Sequence, residues 1–76
     1  MTNDAVVIDS LGKPCPVPVI ELAEAVTQVA VGDLVVLLAD DPAARTDVAV
    51  WCRMKRHQLV DVAEGARGLR FTVRRC

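Results

Sequence analysis

The stretch that decides the fold is Leu34 to Cys52, LVVLLADDPAARTDVAVWC. Its unbroken apolar opening, Leu34 to Ala39, reads as a strand buried on both faces or lying near the centre of a sheet. The following DDPAARTD is a helix start signal. Asp41 is placed to cap, Pro42 suits the first helical position, and an acid-rich opening complements the positive end of the helix dipole. The spacing predicts a helix to about His57, with Ala44, Val48, Trp51 and Cys52 on its apolar side. Lys55 and Arg56 fall in the last turn, where cations face the carbonyl end.

Working outward, Val6, Val7 and Ile8 are β-formers ahead of the turn-prone DSLGKP, which predicts a first strand over residues 5 to 9. Val19, Leu22, Val26 and Val29 recur at helical spacing with Glu21, Glu24 and Gln28 opposite them, predicting a first helix from Val19 that ends by Gly32. Beyond the second helix, QLVDVAEGARGLRFTVRR gives two alternating runs about a glycine-bearing turn. That pattern is a hairpin with Leu69, Phe71 and Val73 inward and Arg70, Thr72 and Arg74 outward. The order is therefore β-α-β-α-β-β. Two right-handed crossovers followed by a hairpin give an α/β two-layer sandwich, a four-stranded mixed sheet with both helices on one face.

At 76 residues the chain is expected to be a single domain, residues 1 to 76. A chain of that size buries only about 60% of its unfolded surface. One Trp, one Phe and no Tyr leave the core to Val, Leu, Ile and Ala. MTNDAVVIDS has neither a basic opening nor a long apolar run, and no segment approaches the roughly 18 apolar residues of a membrane span, so a soluble cytoplasmic protein is expected. Cys15, Cys52 and Cys76 are odd in number and widely spaced, unlike a secreted disulfide framework, and reduced thiols are expected. Charge is uneven: residues 1 to 50 carry a net −6 and residues 51 to 76 a net +5. Such asymmetry points to a charged partner surface, with Lys13, Arg53, Lys55 and Arg56 as candidate partner contacts, unless the halves interleave in space.

The chemistry-bearing motif is GKPCPVPVIELAEA, residues 12 to 25, a cysteine among three prolines ahead of the first helix. A residue before proline avoids the α region, so Cys15, preceding Pro16, suits a non-helical N-cap. Pro16 and Pro18 then fall in the first turn, whose N–H groups are unpaired in any helix. Val17 also precedes a proline, which leaves open whether the regular turn starts only at Pro18. A thiol at a helix N-terminus is expected to have a depressed pKa, and Lys13 beside it would favour the anion. Both prolines lack N–H donors, however, leaving mainly the Val17 N–H to solvate a thiolate. Position 18 is Pro, which excludes a C-x-x-C dithiol. A lone thiol that accepts and donates a group fits sulfur or acyl carriage.

Other residues carry less. Cys15, Cys52, His57 and Cys76 have no short zinc-ligand spacing, so no metal site is expected. His57 reads as a capping or surface residue, Cys52 as a packing residue beside Trp51, and Cys76 as a mobile terminus. GARG is a turn rather than a phosphate loop. The basic half has no interleaved aromatics, which argues against sequence-specific RNA binding.

DSLGKPCPVPVIELAEA resembles the D-x-x-G-x-x-C-P-x-P signature of the TusA/SirA-like sulfur carrier family, with Asp9, Gly12, Cys15, Pro16 and Pro18 at the matching positions. LVVLLADDPAARTDVAVWCRMKRHQLV looks like the family's second strand, its D-D-P helix start and its cysteine-bearing helix. The resemblance implies a persulfide carried on Cys15, with Asp9, Gly12, Pro16 and Pro18 shaping the loop. It implies a cysteine desulfurase or rhodanese-like donor, an acceptor protein, no cofactor, little turnover without partners, and a monomer. Where some members place an acid between the prolines, this chain has Val17. Competing readings are a non-enzymatic regulatory or interaction module using the basic half, and an accessory role in selenium metabolism or thiosulfate transport.

Overall fold

The computed structural model describes residues 6–76. Residue 5 of the expected first strand lies outside the described residues. The elements run β1 (Val6–Asp9), α1 (Val17–Val26), β2 (Leu34–Ala39), α2 (Ala44–Lys55), β3 (Gln58–Gly65) and β4 (Gly68–Arg74), in the expected order. The sheet order is β1-β2-β4-β3, with β1 parallel to β2 and β4 antiparallel to both its neighbours. The last strand is thus inserted between the second and the third. The basic half interleaves with the acidic half in this way.

β2 is central, and its side chains alternate: Val35, Leu37 and Ala39 are fully buried while Leu34, Val36 and Leu38 are half-buried. The register sets Val73, Phe71 and Leu69 beside the first group and Arg74, Thr72 and Arg70 beside the second. Leu22 and Val26 of α1 and Ala44, Val48 and Cys52 of α2 join Val35, Leu37, Phe71 and Val73 in one core cluster. Both helices therefore cover a single face of the sheet, completing the α/β two-layer sandwich. β2 is buried on one face only.

Strand β3 contains a bulge between Leu59 and Asp61. Leu59 and Val62 lie three positions apart, which regular alternation would place on opposite faces. The extra residue, Val60, lets both pack against the core while Asp61 stays exposed.

Three element boundaries differ from expectation. α1 begins at Val17 and ends at Val26, so Val29 packs on the core from beyond the helix. Val17 is helical despite preceding proline, because Pro18 is buried in the core and the Val17 N–H donates to the Pro14 carbonyl at 3.0 Å. α2 ends at Lys55, with Arg56 at the cap position in the left-handed conformation (φ 61°) instead of in the last turn. Among the described residues no helix is long and apolar enough to cross a membrane.

Candidate functional site

β1 and β2 are parallel neighbours, so the loops that leave them emerge side by side at one end of the sheet. The first carries Cys15 and the second carries Asp40 and Asp41. Asp9 starts the first loop by accepting the Leu11 N–H at 3.0 Å, an Asx turn, and Gly12 follows at φ 79°, open to glycine with least strain. Asp40 accepts the Gly12 N–H at 2.9 Å and Asp41 accepts the Cys15 N–H at 3.4 Å. From the other side, buried Ser10 donates its hydroxyl to Glu21 Oε1, and Lys13 Nζ pairs with Glu21 Oε2 at 2.9 Å. The loop is clamped between α1 and the start of α2.

Cys15 is not the helix cap. Pro16 holds that position, joined to Cys15 by a cis peptide bond, and Cys15 lies one residue outside. The Val17 N–H, which sequence reasoning left to solvate a thiolate, is taken by Pro14. Pro16 is exposed and Pro18 buried, so one proline shapes the turn and the other anchors it to the core. Lys13 is engaged by Glu21. The Ser10 hydroxyl and then the Lys13 ammonium hold the Glu21 carboxyl below its ordinary value of 4.5.

Electrostatics at the thiol run opposite to the expected depression. Burial first, then the nearby Asp47 carboxylate and the Asp41 charge, push the Cys15 thiol above its ordinary value of 9.0. The helix-dipole argument fails because the thiol sits before the cap, next to two carboxylates and with few free N–H groups. Half-buried Cys15 rests against the core while retaining an exposed side.

Asp41 does cap, though two residues ahead of the regular helix cap: its Oδ1 accepts the Ala43 N–H at 2.8 Å and its carbonyl accepts the Ala44 N–H at 3.0 Å. The regular helix then has Ala43 as its cap, and Pro42 belongs to the turn. Asp40, Asp41 and Asp47 are the residues sequence reasoning did not assign to the thiol. A signal existed: in parallel α/β sheets, functional groups gather beyond the carboxyl ends of neighbouring strands, and Asp40 and Asp41 directly follow β2.

The other candidates lie elsewhere. Arg53, Lys55 and Arg56 are exposed at the far end of α2, about 9 Å or more along the helix from Asp47, and do not join Cys15. Cys52 is 3% exposed, and burial pushes its thiol up to about 11. The His57 N–H donates to the Cys52 carbonyl at 2.9 Å, its ring lies 5.3 Å from that of Trp51, and its Nδ1 accepts the Cys76 N–H at 3.1 Å. His57 is therefore a capping residue. Among the described residues no group of three or more His, Cys, Asp or Glu side chains is arranged to hold a metal.

With this geometry in view, comparison with known proteins is informative. The chain is 37% identical over 57 residues to a protein of Archaeoglobus fulgidus named "Putative sulfur carrier protein", covering 75% of this chain and 78% of that one. The fold superposes on the crystal structure of a SirA-like protein from Desulfitobacterium hafniense with a TM-score of 0.77, at 26% identity, covering 91% of this chain and 93% of that one. Residues 6–75 match the family described as Sulfurtransferase TusA, and the chain belongs to that sulfur carrier family.

Proposed function

We propose that the protein relays sulfur between two partner proteins as a persulfide on Cys15. The observation that carries the reading is the placement of this thiol: half-exposed, at the end of the molecule where both helices begin, its own amide held by Asp41. Cys52 is buried in the core and Cys76 lies near His57 and the end of β4. Asp9, Gly12, Pro16 and Pro18 position the loop.

In the loading step the Cys15 thiolate attacks the terminal sulfur of a donor persulfide, R–S–SH. The new Cys15 S–S bond forms as the donor S–S bond breaks, and the donor sulfur leaves with the electron pair and takes up a proton. Oxidation state is conserved across the pair. Unloading repeats the exchange, with the acceptor attacking the terminal sulfur of Cys15–S–SH and the Cys15 thiolate leaving. Donors of cysteine desulfurase or rhodanese type supply such a persulfide, in a reducing cytoplasm. The raised thiol pKa keeps the resting protein protonated, which suits a carrier that reacts only on a docked partner.

Intact-mass measurement after incubation with a protein persulfide donor tests the reading. One added sulfur is expected in the wild type and none in Cys15→Ser. Sulfur mapping to Cys52 or Cys76 in the wild type would overturn it.

A further inference from the structure

A cavity of about 450 Å³ opens at the hairpin tip, at the same end of the sheet as the cysteine loop but on the face away from the helices. Leu11, Leu38 and Ala63 line it with Arg67 and Arg70, and the backbone of Gly65 to Gly68 closes its end. The register explains the grouping. Arg70 stands opposite both Leu38 and Ala63, so these three side chains share the outer face, and Leu11 reaches over from the Asp9 turn.

The walls are set by close backbone packing. Gly68 takes φ 152°, and a Cβ there would meet the Ala39 carbonyl oxygen at 2.7 Å, so the hairpin tip lies directly against the end of β2. The charged residues lining the cavity are Arg67, Arg70 and Glu64. Arg67 and Arg70 are exposed, and neither forms an ion pair among the described residues. Of the two acids here, Glu64 pairs with Arg45 at 3.9 Å, and Asp9, two strands from Arg70, accepts the Leu11 N–H.

Ligand sites are typically concave, about 300–1,000 Å³, and mostly apolar with a few orienting polar groups. Guanidinium groups suit carboxylates in particular, through paired N–H donors. We propose that this cavity is a binding site for a small organic carboxylate with an aliphatic body, the body on Leu11, Leu38 and Ala63 and the carboxylate on Arg67 and Arg70. An occupant touches Leu11, and the next residue, Gly12, is tied to Asp40 in the clamp that positions Cys15. The site stands independently of the sulfur-relay reading.

Hexanoate is a suitable probe, read by amide NMR titration against hexan-1-ol and hexylammonium. Saturable shifts are expected at Leu11, Leu38, Gly65 and Gly68 with hexanoate, about tenfold weaker binding of the alcohol, and no binding of the ammonium. The double variant Arg67→Gln, Arg70→Gln is expected to weaken hexanoate about tenfold. Non-saturating shifts, shifts confined to the helical face, or equal responses to all three probes would overturn the site. So would a folded double variant that binds as the wild type does. The three-probe comparison on the wild type decides the matter even where the variant misfolds.

Discussion

Replacing Asp41 by Ala and by Asn separates its two roles. One carboxylate oxygen accepts the Ala43 N–H at 2.8 Å and the other the Cys15 N–H at 3.4 Å. Losing a capping bond of the first kind costs about 1 kcal/mol. The longer second bond adds about 0.5 to 1 kcal/mol, because it leaves a half-buried amide without a partner. Asp41→Ala is therefore expected to destabilise by about 1.5 to 2 kcal/mol, and for a domain of this size each kcal/mol moves Tm by about 4–8 °C. A drop of about 6 to 16 °C follows. Asp41→Asn keeps one oxygen acceptor of nearly equal capping strength for the Ala43 N–H, but its amide nitrogen cannot accept from the Cys15 N–H, so it loses the second bond together with the charge and its Tm should fall by about 2 to 8 °C. Both variants remove a negative charge from beside the thiol, and both should lower the Cys15 pKa. Thermal unfolding by circular dichroism measures the first effect, and the pH dependence of Cys15 alkylation in a Cys52→Ala, Cys76→Ala background measures the second. The reasoning is refuted if Asn costs as much stability as Ala, or if the thiol pKa stays put in both.

Two further outcomes follow from groups away from the loop. Cys52 titrates near 11 in the folded protein against 9.0 for an ordinary thiol, so its contribution to stability is full below pH 9 and is lost as pH rises towards 11. The two-unit difference corresponds to about 3 kcal/mol at most, and urea unfolding of the wild type minus Cys52→Ala should show that alkaline loss. At the hairpin, Gly68→Ala should destabilise by about 1–3 kcal/mol, because φ 152° and a 2.7 Å approach to the Ala39 carbonyl both exclude a side chain. Gly65→Ala, whose Cβ would meet the Gly68 carbonyl at an ordinary 3.5 Å, should be tolerated in the same denaturation assay.

The elements legible in the sequence are those specified by local pattern. Leu34 to Ala39 reads as a strand from its apolar run, and Phe71 and Val73 read as inward from alternation, since both signals repeat within a few residues. What the pattern does not contain is non-local. The insertion of β4 between β2 and β3 depends on which strand best covers both neighbours, and no local feature of GLRFTVR states it. The β3 bulge was not legible either: QLVDVAEG reads as regular alternation, and only the pairing with β4 reveals the extra residue Val60. At the site, the turn at Gly12 was legible because its backbone preference is its own, whereas the cap position moved from Cys15 to Pro16. The raised thiol pKa was not legible, because it comes first from burial against the core and then from Asp47 and Asp41, which reach the thiol from a segment some 26 to 32 positions away. A helix-dipole argument built on adjacent residues alone therefore had the wrong sign.

That reversed sign bears on how a carrier keeps its cargo. In thiol exchange, a leaving thiol departs faster the lower its pKa, and a thiol attacks only as the thiolate. In the proposed relay, the burial and the carboxylates that hold the Cys15 pKa up would slow both the loading of the free thiol and the loss of sulfur from Cys15–S–SH, since each step requires negative charge on the Cys15 sulfur. Asp41 and Asp47 supply the part of that effect which a charge change can remove. Asp47→Asn, which keeps the side-chain volume and removes the charge, should therefore shorten the lifetime of the Cys15 persulfide in the presence of a small neutral thiol. It should also raise the alkylation rate by iodoacetate more than by neutral iodoacetamide, as the anionic reagent no longer meets a carboxylate. Mass spectrometry of the persulfide over time and the ratio of the two alkylation rates measure these effects. An unchanged lifetime together with an unchanged ratio would mean that Asp47 does not act on the sulfur, and that rigid display of Cys15 by its prolines alone governs its reactivity.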